Sequence, residues 1–300
     1  MKRKKKITKN VVGQVFGLIR QWQSIVYLKT SKTPEVNGII FSNEGSKGRT
    51  PLFDASKSQT GGIIAYWEDE SKGWICISAP EPGYEIKAPK SLENYFSEQQ
   101  VYDSKRKSIH YITYLDVSHL DVSNTTDFTS CFEKFGNSEF DAIAELKGLE
   151  TWNVKNGKHF SRFFAFAFPF NKTIELDLSS WEFHNDDVVD LFGFFWGFAA
   201  SAQNVYLNLS WKSLLRMRGN KMFSHFAGNA ENVKIDGIEE WNIGYDCCFN
   251  AMFEKFAVKS NCILNLFHWN EEYCAGCPHH SFSDGTFFRI KEPKWYRDIF

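Results

Sequence analysis

The 300-residue sequence predicts a repeat solenoid, mostly β, of about six coils with a β-hairpin cap at its start. Three observations carry that expectation. One pattern recurs around bulky apolar anchors at Leu120, Trp152, Trp181, Trp211, Trp241 and Trp269, in steps of 32, 29, 30, 30 and 28 residues. A period near thirty marks units that cannot bury an apolar face alone and must stack on their own copies. Ahead of each anchor, apolar and polar residues alternate: Ile174, Leu176 and Leu178 face one way, and Glu175, Asp177 and Ser179 the other, which is the period of a strand. Finally, twelve residues past the anchor a Phe returns, at Phe132, Phe164, Phe223 and Phe253, with slips to Phe192 in the third copy and Phe282 in the sixth. Most of the 29 Phe lie within the repeats, where they are expected to stack as an internal ladder.

The elements follow in chain order. Residues 1–49 comprise a basic tail, a possible amphipathic helix and loop. Lys2, Arg3, Lys4, Lys5, Lys6 and Lys9 make the tail, and Val12, Phe16, Ile19, Trp22 and Val26 recur at helical spacing over 11–28. Residues 29–60, rich in Ser, Thr, Lys, Gly and Pro, read as loop. Residues 50–107 form the cap. Ile63 to Trp67, a polar turn and Trp74 to Ile77 read as a hairpin, and Ser91 ahead of Leu92, Tyr95 and Phe96 reads as a capped short helix. The solenoid occupies 108–283, in which Phe160 to Phe170 and Leu191 to Phe198 are apolar enough for buried short helices or a hydrophobic convex spine. Residues 284–300 leave the pattern and close the far end with Trp295, Tyr296 and Phe300.

At the repeats the chain resembles a known family. Leu115 to Phe132, with Asn124, Thr126, Asp127 and Phe128 in register, is similar to the long leucine-rich-type repeat of BspA-like bacterial surface proteins. Leu176-Asp177-Leu178-Ser179 followed by Trp181 matches the first half of that repeat, and Met222-Phe223 and Met252-Phe253 match the second. Ile63 to Phe96 resembles the hairpin region ahead of the repeats. The likeness spans roughly residues 60–285 and implies a leucine-rich-repeat-like solenoid, with adhesion at a cell surface as its use. The chain departs from the family in being rich in Phe and in showing no export signal: Gln14, Arg20, Gln21 and Gln23 break the apolar stretch behind the basic start.

Composition narrows the function classes. A net charge of −1 lacks the footprint of a nucleic-acid binder. Seven Cys are odd in number and too sparse for a disulfide scaffold, so reduced core thiols are expected. The longest apolar stretch, Leu191 to Ala202, is too short to span a bilayer, which leaves membrane contact only through residues 11–28. No nucleophile elbow, phosphate loop or dinucleotide fingerprint is present, and a non-enzyme is expected. Cys274, Cys277, His268 and His279 (or His280) have the spacing of a structural zinc site, set against Cys277 simply filling a core position. A metal-dependent enzyme built there is the weakest alternative.

The outward strand positions are the candidate binding face. Asp116, Asp177, Asn208, Asp236 and Asn265 lie between inward apolar residues, with Tyr114, Glu175, Tyr206, Lys234 and Phe267 around them. Stacking places like positions in rows about 4.8 Å apart, able to receive a protein or a glycan. The bland alternative is that these Asp and Asn serve turns. The expected function is non-catalytic recognition by that face. Alternatively, the chain is an intracellular or phage-related protein that binds a host protein or builds a particle. The row Asn124, Asn156 and Asn185 is expected to satisfy backbone groups in turns.

Overall fold

A computed structural model describes residues 36–55, 61–97, 101–103, 108–110, 112–137, 143–183, 187–211, 214, 216–243, 247–266, 269 and 290–291. The regular elements among the described residues are almost all short strands, in several small sheets, with no closed barrel and only two single-turn 3₁₀ helices, at Leu149–Thr151 and Ile238–Glu240. In chain order the strands are β1 (Gly38–Ser42), β2 (Phe53–Asp54), β3 (Ile64–Asp69), β4 (Trp74–Ser78), β5 (Ile86–Lys87), β6 (Val101–Asp103), β7 (Ser108–His110), β8 (Tyr114–Asp116) and β9 (Leu120–Asp121). There follow β10 (Glu145–Lys147), β11 (Thr173–Asp177), β12 (Val189–Asp190), β13 (Asn204–Asn208), β14 (Met217–Arg218), β15 (Asn232–Asp236), β16 (Leu264–Asn265) and β17 (Ile290–Lys291).

The hairpin expected from Ile63 to Ile77 is present: β3 and β4 pair antiparallel across a turn in which Asp69 accepts bonds from Ser71 and Lys72. Its neighbour corrects the sequence reading. Within the stretch taken as loop, Gly38-Ile39-Ile40-Phe41-Ser42 forms β1, which pairs parallel with both β4 and β8. A short apolar run without alternation suits a strand whose two edges are both paired, and its Ser, Gly and Pro flanks hid it. The second correction concerns residues 91–97. Ser91 bridges Asp127, Tyr95 donates back to Leu92, and Leu92, Asn94 and Phe96 donate to Asp127, Thr129 and Cys131, so the stretch is a turn laid on the next one and forms no helix.

Beyond the hairpin, apart from the short antiparallel pair of β6 and β7, the pairing is parallel and joins residues about one sequence period apart. β8 pairs β10, with Leu115 opposite Leu146, and β11, β13 and β15 form a three-stranded ladder through Ile174–Val205–Val233 and Leu176–Leu207–Ile235. Shorter rungs run through Ser91, Asp127, His159, Asp190, Arg218 and Cys248. At the far end β16 pairs β17, so part of the expected closing stretch does join the sheet system. Between β10 and β11 the ladder lapses. There the buried Asn171 amide takes the place of a strand edge: its Oδ1 accepts the Ala144 N–H at 3.1 Å and its Nδ2 donates to the Ala144 carbonyl at 2.8 Å.

The anchors are Trp for a physical reason. Each indole is buried and reaches the carbonyl just ahead of the preceding anchor: Trp152 to Val117, Trp181 to Leu149, Trp211 to Leu178, Trp241 to Leu209 and Trp269 to Ile238, at 2.7–3.2 Å. The same carbonyls also accept the backbone N–H of the anchor in their own copy. One oxygen, with two lone pairs, thereby ties a turn to itself and to its neighbour. A Leu or Phe would fill the space without the bond. Trp211, Trp241 and Trp269 stack in sequence, 5.1 and 5.9 Å apart.

The Phe-rich segments contain no helix. From Phe128 to Phe135 the donors alternate. Cys131, Glu133 and Phe135 bond back three residues within the segment, while Phe128, Ser130, Phe132 and Lys134 bond across to His159, Ser161, Phe163 and Ala165. The same alternation runs through 160–167, 191–198 and 219–226. It requires a left-handed residue every fourth position, at Ser130 and Lys134, Arg162 and Phe166, Gly193 and Gly197, and Lys221 and His225. Inside, rings stack face to face along Phe96, Phe132, Phe164, Phe195, Phe223 and Phe253, 5.1–5.7 Å apart. The third copy supplies Phe195. The expected Phe192 is half-buried, and its carbonyl instead accepts the Arg162 N–H.

Candidate functional site

The three-stranded ladder brings six of the candidate residues together. Register aligns Glu175, Tyr206 and Lys234 in one row and Asp177, Asn208 and Asp236 in the next. Alternation along each strand turns Ile174, Val205 and Val233 inward, so these rows face out. Tyr206 sits at the centre and is 38 % exposed. Lys234 holds Asp236 at 2.6 Å.

A third row, overlooked in the sequence, borders them. Thr173, Asn204 and Asn232 are aligned, the Asn204 amide donates to Thr173 Oγ1 at 3.1 Å, and the Asn232 amide donates to Asn204 Oδ1 at 2.8 Å. The 28-residue interval between Asn204 and Asn232 was the available signal. An amide ladder of this kind keeps the polar edge ordered and leaves further donors and acceptors for a ligand.

Asp177 and Asn208 of the second row also do turn work, as the bland alternative held. Asp177 Oδ1 accepts the Ser179 N–H at 2.9 Å, and Asn208 Oδ1 accepts the Ser210 N–H and hydroxyl at 3.3 and 2.7 Å. Asp116 does the same with Ser118. Hydrogen bonds from Ser179 hold the Asp177 carboxyl below the usual carboxylate range. The motif Leu-Asp-x-Ser is therefore a strand-ending turn first. Glu175, Tyr206 and Lys234 belong to no such turn.

Other candidates lie apart. Tyr114 was expected on an open face. It is buried instead, because Gly38 between the two strands leaves room for the Trp74 ring, which stacks on Tyr114 at 4.0 Å. Lys72 lies over Trp74 and Lys147 over Tyr114, at 4.5 and 5.2 Å, so both outer ring faces are covered by cations. Asp116 shares the sheet of Tyr114 and has Ile40 and Lys147 as strand neighbours. Asn265 lies on β16, where its N–H meets the Glu239 carboxylate at 2.6 Å, and it does not extend the Asp177 row. Phe267 lies outside the described residues, as do Cys274, Cys277, His268, His279 and the helix expected over 11–28. Among the described residues no group of three or more His, Cys, Asp or Glu is placed to hold a metal ion, and no helix is long and apolar enough to cross a membrane.

On the turn side, Trp196 lies over Gly193 with Arg162 and Lys221 each 5.5 Å from its ring, and Arg162 is also paired with Glu133 at 2.5 Å. Asn156 donates to the Ser123 carbonyl at 2.7 Å, the turn role expected of it. Comparison with protein-family models, curated proteins and solved structures finds no match.

Proposed function

We propose that the chain is a leucine-rich-repeat-like solenoid acting as a non-catalytic recognition module, which binds a protein or a glycan through the outward face of β11, β13 and β15. In-register pairing one sequence period apart and the run of indole bonds from copy to copy support the solenoid. The observation that carries the binding role is the face itself. Three aligned strands present acids, amides, a lysine and the half-exposed Tyr206 in rows, without those side chains packing into the core. Tyr offers contact area and a hydroxyl at small entropic cost, and such residues are favoured anchors in interfaces. The affinity is spread over several rows. The likeness to BspA-like adhesins points to a cell-surface ligand.

The test is affinity capture from surface extract and from lysate of the source cell, and on a glycan array, with wild-type protein and a Glu175→Lys/Tyr206→Ala variant. These two positions are preferable to Asp177, whose loss also frees a turn. A ligand from surface extract or array that the variant loses, at unchanged circular dichroism, supports surface recognition. A lysate partner lost in the same way moves the recognition inside the cell. Equal capture by both proteins removes this face as the site.

A further inference from the structure

The face of β11, β13 and β15 carries nine outward side chains in three aligned rows, and their chemistry is selective about what lies on them. Adjacent rows are about 7 Å apart along the strands, and neighbours within a row about 4.8 Å apart across them. The row Asp177, Asn208 and Asp236 is engaged internally, with Ser179, Ser210 and Lys234. The other two rows keep unused capacity. Asn204 and Asn232 each commit one amide N–H to the ladder that ends on Thr173 and retain the other. Among the described residues the side chains of Glu175 and Tyr206 have no hydrogen-bond or ion-pair partner, and both are exposed.

Resting on the recognition role proposed above, we infer that the ligand class of this face is a neutral oligosaccharide. It lies across the three strands with one pyranose ring on the Tyr206 ring and its hydroxyls between the Asn204–Asn232 row and Glu175. A sugar hydroxyl both donates and accepts, so it needs donors and acceptors interleaved, and the amides, the carboxylate and the phenol supply both within reach of one ring. The C–H face of a pyranose is apolar and packs flat on an exposed aromatic ring. Charge sets the kind of sugar. Glu175, Asp177 and Asp236 against Lys234 leave the face with a net charge of −2, which repels sulfated and sialylated chains. The same composition disfavours a protein. Interface centres are depleted in Lys, Glu and Asp and built on clustered aromatic anchors, whereas Tyr206 is the single aromatic residue of the three rows and all its neighbours there are polar. The bonds from Asn232 to Asn204 and on to Thr173 already fix the side chains that meet the sugar, so little rotamer freedom is lost on binding. The two unfilled rows cover about 10 Å by 7 Å, room for a di- or trisaccharide. Affinity is nearly independent of salt, because the contacts are hydrogen bonds and a stack, without ion pairs.

An array of defined neutral, sialylated and sulfated oligosaccharides, probed with the full chain, tests this, and the neutral hits are then titrated at about 20 and 500 mM NaCl. The expected result is binding confined to neutral chains and changed less than about twofold by salt. Tyr206→Ala and Asn204→Leu each weaken it at least about tenfold, whereas Tyr206→Phe, which keeps the ring, stays within about threefold of wild type. Glu175→Gln, which keeps the size of an exposed side chain, weakens it about fivefold and gives a reading even where a larger change disturbs the fold. Saturation-transfer NMR on a bound hit shows the strongest transfer at sugar C–H protons, and Tyr206→Ala removes that contrast. No neutral glycan bound, acidic chains preferred, or full affinity in Tyr206→Ala and Asn204→Leu overturns the inference. If no neutral glycan binds while a protein captured from extract or lysate needs Glu175 and Tyr206, only this inference falls. If neither a glycan nor a protein depends on those residues, the recognition role falls with it.

Discussion

Replacing Trp211 by Phe isolates what the anchor indoles contribute. Trp211 is buried, its ring lies 4.9 Å from Phe183 and 5.1 Å from Trp241, and its Nε1 donates to the Leu178 carbonyl at 2.9 Å. Phenylalanine keeps one ring and loses the pyrrole atoms and the N–H. The lost hydrogen bond costs about 1 kcal/mol. The Leu178 carbonyl keeps its bond from the Trp181 N–H, so no buried acceptor is orphaned. The missing ring atoms, equivalent to about two methylenes, add about 1.5 kcal/mol, and incomplete collapse of the space adds to that. The total is about 2–3 kcal/mol. Urea unfolding followed by far-ultraviolet circular dichroism measures it as a shift in midpoint at unchanged slope. Native-state hydrogen exchange should also show faster exchange at the Trp181 amide. A loss below about 0.5 kcal/mol would refute the claim that the indole ties one turn to the next.

Three further outcomes are expected. Gly237→Ala should cost more than 3 kcal/mol or abolish folding, because φ is +86° and a Cβ would lie 2.3 Å from Ser210 Cα; thermal unfolding measures this, and Gly148, in the equivalent turn against Ser118, should behave alike. Asn171→Ala should cost about 2–3 kcal/mol through two unsatisfied backbone groups at Ala144, and hydrogen exchange at Ala144 should rise with it. The Tyr66 phenol is pushed up to about 12, first by burial and then by its hydrogen bond with Cys76. A raised acid group stabilises the fold fully below the ordinary tyrosine value of 10, and that stability is lost as pH rises from 10 through 12. Ultraviolet titration of wild type and Tyr66→Phe should show one late-ionising tyrosine that the variant lacks.

The strand and anchor positions were legible because their signals are local and periodic. Ile174, Leu176 and Leu178 alternate, and a Trp returns near every thirtieth residue. The row Glu175, Tyr206 and Lys234 followed directly from that period, since parallel in-register stacking carries equal offsets into one row. The Phe-rich turns were not legible. Their left-handed residues include Ser130, Lys134, Arg162 and His225, residue types that do not announce positive φ, and the cross-bonds that hold them come from a segment about thirty residues away. That geometry is what selects Phe195 over Phe192 for the ring stack. Tyr114 misled for a different reason: a glycine in a neighbouring strand let a tryptophan from a third strand cover it, which no period encodes. Asn171 is likewise a single residue whose amide stands in for a strand edge.

The central claim is that recognition resides on the face of β11, β13 and β15. The most direct measurement is the affinity of the captured ligand for three proteins: wild type, Glu175→Lys/Tyr206→Ala, and a turn-side control, Lys255→Glu/Val258→Ser, whose two residues are exposed. At least a tenfold loss confined to the strand-face variant is the predicted result. Loss confined to the turn-side variant, or equal affinity for all three, would contradict the account.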